Sequence, residues 1–220
     1  MWFWFSLIAL VCWSGSDLFS KIGCQDADDK YSHLKMVMAV GLVMGLHAAY
    51  EIFIGGTEIN GSIILTYLPV SLLYISSMTI GYIGLRYIEL SISSPICNSS
   101  GALVAVLALA TGGLGELVPA QLAAIVCFVY VVLIKKSKLL PKREAPKYAG
   151  ALCETAGQFA YIYALADTEH VALAAPIISA YCVASVLWSR IFLKEKLSWK
   201  HYGMIALVVA GIVILGVYDA

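Results

Sequence analysis

Eight stretches of this chain, roughly 2–20, 34–53, 62–85, 92–111, 118–134, 148–166, 171–192 and 202–218, are mostly apolar. Each approaches the ~20 residues that a helix needs to cross the hydrocarbon of a bilayer. No water reaches the backbone there, so every such stretch must close its own hydrogen bonds and is read as a helix. The chain is 61% hydrophobic and 13% charged, where a soluble domain averages about 45–50% and about 25%. The expected fold is all-α, a polytopic membrane helical bundle of about eight transmembrane helices. The net charge is zero, which points to no nucleic-acid partner. The start, "MWFWFSLIALVCW", has no basic region and no small-residue cleavage site, so the first helix is expected to stay.

The basic residues orient the bundle. Lys21, Lys30 and Lys35 lie between spans one and two, and Arg86 ends span three. Lys135, Lys136, Lys138, Lys142, Arg143 and Lys147 join spans five and six; Arg190, Lys194, Lys196 and Lys200 lie between spans seven and eight. With eight spans all 14 fall on one side of the membrane. The positive-inside rule makes that side cytoplasmic and leaves both termini outside. The expected location is the cell membrane, as a multi-pass protein.

The segment 135–147, "KKSKLLPKREAPK", is expected to be a non-helical, basic cytoplasmic linker, on account of its two prolines and six basic residues. It separates a block of five spans, 1–134, from a block of three, 148–220. Spans three to five can be laid over spans six to eight. "YIGLRYIELSISSPICNSSGALVAVLAL" then pairs with "YIYALADTEHVALAAPIISAYCVASVLW", Tyr82 with Tyr163 and Pro95 with Pro176, and Glu116 with Glu195 in the acidic turns that follow. Internal repeats meeting near the midplane are a common transporter design.

Three stretches carry a family resemblance. "CWSGSDLFSK" resembles the opening helix of the EamA-type transporters of the drug/metabolite transporter superfamily. "LRYIELSISSP" and "YALADTEHVALAAP" resemble the family's short link between the third and fourth helices of each half. "RIFLKEKLSWKHYGMIALVVAGIVIL" is similar to its closing acidic turn and last helix. The resemblance implies two EamA-like repeats: a five-helix one over 1–134, and over 148–220 one shortened to three helices where the family has five. It implies secondary transport of small metabolites, and it places the first helix beside the substrate path. The family's termini lie inside, whereas the basic residues here argue for outside.

Several polar residues interrupt the apolar spans, at a cost of a few kcal/mol for an acid facing lipid. Trp13, Ser16, Asp17 and Ser20 share a face of span one; Asp17 is expected either to pair with Lys21 or to line a cavity mouth. Glu154, Gln158 and Tyr161 follow at i, i+4 and i+7 on span six, with no pairing residue on their own helix. Glu154 is read either as snorkelling to the interface or as a proton- or substrate-binding carboxylate. Ser71, Tyr74 and Tyr82 mark span three; Pro95, Asn98 and Ser99 mark span four; Pro176 and Ser179 mark span seven. The candidate substrate-binding set is therefore Trp13, Asp17, Tyr74, Tyr82, Asn98, Glu154, Gln158, Tyr161 and Ser179.

Other chemistry finds little support. The six cysteines form no CxxC pair and read as small packing residues. His47 and Glu51 stand i, i+4 apart, but two ligands are too few for a metal site. No GxSxG or HExxH motif and no P-loop occurs, so neither an enzyme nor an ATP-driven pump is expected, and no cofactor. The leading expectation is a secondary transporter or exporter of a small organic solute, with proton coupling as one mechanism. The alternative is a non-transporting membrane subunit or a degenerate transporter paralogue that needs a partner. Two absent helices would leave a surface or groove that a homodimer or a membrane partner covers.

Overall fold

A computed structural model describes residues 1–56, 60–98, 128–166, 169–203, 205–207 and 210. Those residues form helices and the connections between them. They comprise α1 (Trp2–Cys24), α2 (Ser32–Phe53), α3 (Gly61–Tyr87), α4 (Leu90–Asn98), a π-helical turn (Val129–Ile134), α5 (Pro141–Leu165), α6 (Val171–Ser179), α7 (Tyr181–Trp188) and a second π-helical turn (Ser189–Leu193). The chain is helical again from 199. Trp2–Cys24, Ser32–Phe53 and Leu173–Leu193 are each long and apolar enough to cross a membrane. Most of the fourth, fifth and eighth expected spans lies outside the described residues.

The segment 135–147 corrects one expectation. It is helical from Pro141 onward, because α5 begins there and not near residue 148. Pro141 sits at the first helical position, where a missing N–H costs nothing and a fixed φ is an advantage. The Leu140 carbonyl accepts the first bonds, from Arg143 and Glu144. Pro146 removes one further bond, but the rest of the turn is closed and Glu144 complements the positive end of the helix dipole.

The chain divides into two compact units. One takes in Ser20–Tyr87 and Gly101–Leu152, with α2 packed on α3. A buried charge cluster holds it at one end. Lys35 Nζ meets Asp29 Oδ2 at 2.7 Å and Glu144 Oε1 at 3.3 Å, and donates to the Lys138 carbonyl at 2.8 Å. Lys147, wholly buried, meets Glu144 Oε2 at 3.0 Å. Arg86 donates to the carbonyls of Asp29 and Lys30 and to Ser32 Oγ. The "DADDK" loop is shaped for this by two side-chain turns, with Asp26 Oδ1 accepting from the Asp28 amide and Asp29 Oδ1 from the Tyr31 amide. Burial raises the Asp29 pKa. The Lys35 hydrogen bond, the Tyr31 amide and the charges of Lys35 and Lys147 outweigh it and hold the carboxyl below its ordinary value.

The other unit takes in Met1–Phe19, Ile88–Ser100 and Cys153–Ala220. Its core joins Ala9 of α1, Ala160 and Ala164 of α5, and Ala174 and Ile178 of α6, with Phe5 and Leu165 packed around them. Four alanines in five positions let helix backbones approach closely, which is how helices associate where the hydrophobic effect is absent. The α4 helix packs on α7.

Candidate functional site

The polar residues of the second-described unit converge. On α1, Asp17 Oδ2 accepts hydrogen bonds from Ser185 Oγ of α7, at 2.7 Å, and from Ser94 Oγ of α4. Both hydroxyls are on buried residues. Ser16, the residue before Asp17, hydrogen-bonds Glu154 of α5. Asp17 and Glu154 lie within electrostatic reach of each other and of the Tyr181 hydroxyl. Both acids are half-buried. Lys21, the partner expected for Asp17 from spacing, donates to the Leu85 carbonyl at 2.7 Å. The pairing of Asp17 is with serines, whose hydroxyls orient a carboxylate without neutralising it.

Aromatic rings flank the acids. Trp13, one turn before Asp17, lies 5.2 Å from Tyr161 and 5.6 Å from Tyr181 between ring centroids, the latter edge-on. Its Nε1 is buried with no hydrogen-bond acceptor among the described residues. Trp188 Nε1 donates to Ser14 Oγ at 3.1 Å, tying α7 to α1. The ring of Trp13 lies over Gly157, where an added Cβ would stand 2.5 Å from Trp13 Cδ1. Gly157→Ala is therefore expected to displace the indole. The cost should be about 1–3 kcal/mol, read as a lower melting temperature together with an altered tryptophan emission.

The site's third helix is set by a residue outside the candidate set. Lys194 adopts a left-handed conformation, φ 55°, at the end of the second π-helical turn. That reversal presents the Glu195 carboxylate to the start of α4. Glu195 Oε1 accepts from the Leu90 amide at 2.9 Å and Oε2 from the Ser91 amide at 3.0 Å. These are orphan donors of a helix N-terminus, and an acid there also meets the positive end of the dipole. The clasp fixes the helix that carries Ser94. Glu195→Ala should cost about 0.5–2 kcal/mol, measured by denaturant titration; Glu195→Gln keeps an acceptor and should recover part of it. The sequence signal was the acidic turn "LKEKLSW", which marks a turn but not the helix it caps.

The remaining candidates fall in several places. Gln158 is exposed on α5, and Ser179 is half-buried at the end of α6. Tyr82, buried, and Tyr74, half-buried, belong to the other unit, where Tyr82 lines a small apolar hollow with Val37, Val40, Ile75 and Met78. Asn98 ends α4, and its side chain, like that of Ser71, lies outside the described set; so does Ser99. His47 Nε2 stands 3.9 Å from Glu51 Oε1 at a partly exposed position, and no cluster of metal-ligating side chains occurs among the described residues. Cys12, Cys24, Cys97, Cys153 and Cys182 are free thiols; Cys127 lies outside the described residues.

Among curated proteins and solved structures, nothing matches the chain. The EamA-like transporter family matches residues 117–217. That stretch carries Glu154, Gly157, Tyr161, Tyr181, Ser185 and Glu195, every member of the site outside α1 and α4. The chain is therefore similar to the EamA-like transporter family over residues 117–217, and three of its described helices are long and apolar enough to cross a membrane.

Proposed function

We propose that the protein is a secondary transporter of a small organic solute, with Asp17 and Glu154 at its binding site. One observation carries this reading: two carboxylates held by serine hydroxyls beside Trp13, Tyr161 and Tyr181, of which Glu154, Tyr161 and Tyr181 lie in the stretch similar to a transporter family. An ionisable acid within a membrane helix is costly and marks a substrate or ion path by default. Glu154 is the group we assign to proton or substrate binding, and Ser179 and Gln158 extend the site along α6 and α5. Asn98, at the end of α4, is proposed as a further solute contact. No step here needs a cofactor.

The proposed topology has eight spans in a five-helix repeat, 1–134, and a shortened repeat, 148–220. The basic residues face the cytoplasm and both ends of the chain face out, as all 14 lysines and arginines require. Cysteine introduced at Ser62 should react with an impermeant reagent from outside, and cysteine at Ser137 only from inside; the reverse pattern inverts the topology. The shortened repeat supports a homodimer or a membrane partner.

Saturable solute flux into or out of proteoliposomes containing only this chain tests the transport reading. Flux confined to preparations that retain a co-purifying membrane protein would make the chain a subunit. Absence of flux in both preparations would end the proposal.

A further inference from the structure

We propose that the Asp17–Glu154 site selects a monovalent organic ammonium ion that carries no acidic group of its own. The inference rests on the transporter reading and names the chemical class of solute for the same site.

Charge comes first. Asp17 and Glu154 are two acids within electrostatic reach of each other. Their hydrogen-bond partners are Ser94, Ser185 and Ser16, all neutral. The charges and hydrogen bonds that act on the two acids come from Ser94, Ser185, Ser16 and from the acids themselves, with no lysine, arginine or histidine among them. The segments outside the description contain none of those residue types at all. No cationic side chain is seen acting on the pair among the described residues, and an entering cation supplies a countercharge. A solute carboxylate or phosphate would meet two acids at close range, so zwitterions and anions are disfavoured by the same arrangement.

Shape and donor type then separate an organic cation from a metal. Ligands for a hard divalent ion would be six or more oxygens around one point. Here the neighbourhood is aromatic: Trp13 packs against Tyr161 and Tyr181, at 5.2 and 5.6 Å, and Tyr181 lies within electrostatic reach of both acids. The negative faces of such rings attract ammonium groups, and an indole is the best of them. Gly157 admits the indole close to α5, the helix of Glu154 and Tyr161. Half-burial of Trp13, Tyr161, Tyr181 and both acids leaves each partly open to a visiting solute.

The test uses the full chain in lipid nanodiscs, with tryptophan fluorescence and calorimetry as readouts. Three probes share one phenyl ring: benzyltrimethylammonium, phenylalanine and benzoate. Saturable binding of the first, and none of the other two at equal concentration, is expected. Asp17→Asn and Glu154→Gln should each weaken cation binding by about tenfold or more. Tyr181→Leu removes a ring of the site and should weaken cation binding by about tenfold, and Tyr181→Phe, which restores the ring, should recover most of it; this pair decides the matter if an acid variant fails to fold. Comparable binding of benzoate or phenylalanine, unchanged affinity in both acid variants, or no saturable response to the cation overturns the proposal. Binding is read without transport. A bound cation with no flux in liposomes would defeat the transporter reading alone, and flux of a neutral or zwitterionic solute without cation binding would defeat this one alone.

Discussion

Glu154→Gln is expected to abolish solute flux in proteoliposomes and to flatten whatever pH dependence the wild type shows, with the protein still folded. The amide keeps the size of the side chain and can still accept from Ser16, so the local packing survives. The group that could exchange a proton or meet a cation is gone. Asp17, Tyr181 and Cys153 are the other titratable groups within its electrostatic reach, and none duplicates its place on α5. Loss of a contact made to a charged solute typically costs about 2–5 kcal/mol, roughly three hundredfold in affinity at the middle of that range. Initial rates measured across a pH series decide it. A variant with the wild-type rate and profile would make Glu154 an interfacial acid and remove it from the site. Asp17→Asn provides the companion measurement, since Asp17 has different partners, and its loss should impair flux without changing the Ser16–Glu154 contact.

Lys35→Met should destabilise the fold more than any surface change. It strips Asp29 and Glu144 of a shared cation and leaves two buried carboxylates with only Lys147 close to Glu144. Breaking a buried pair in this way costs about 3–5 kcal/mol, because the remaining charge is buried without compensation. Lys30→Met is the control. Lys30 is exposed and contributes a backbone carbonyl to Arg86, not its side chain, so its effect should stay within about 0.5 kcal/mol. Unfolding titrations in detergent measure both. The same cluster predicts an acid limb. The carboxyl of Asp29 is held below its ordinary value, so its contribution is fully present above the unfolded value of about 3.9. It is lost as pH falls through the lower folded value. Stability that did not fall below about pH 4 would show that the cluster contributes through shape alone.

The helices themselves were legible. Expected spans at 2–20, 34–53 and 62–85 became α1, α2 and α3, each extended by one to four residues at an end. The bilayer leaves the backbone no other choice over an apolar run. The start of α5 was not legible, because proline was read as a helix breaker where its position made it a helix starter. The break at Ala180 between α6 and α7 was also missed, although Pro176 hints at it: the Ala180 amide is shared between the carbonyls of Pro176 and Ile177, both at 3.2 Å.

The sequence by itself determined the class of the protein: apolar runs of helical length, basic residues gathered between or at the ends of those runs, and acids at Asp17 and Glu154 that a plain lipid-facing helix would not carry. Periodicity also showed which residues share a face of one helix. Only the tertiary structure decided what each face meets. Asp17 finds Ser94 and Ser185, 77 and 168 residues away. Glu195 closes the start of α4 across 105 residues. Helical spacing is a local property, fixed by 3.6 residues per turn, whereas the pairing of faces depends on which helices pack together, and in lipid that is set by small residues and hydrogen bonds rather than by apolar pattern.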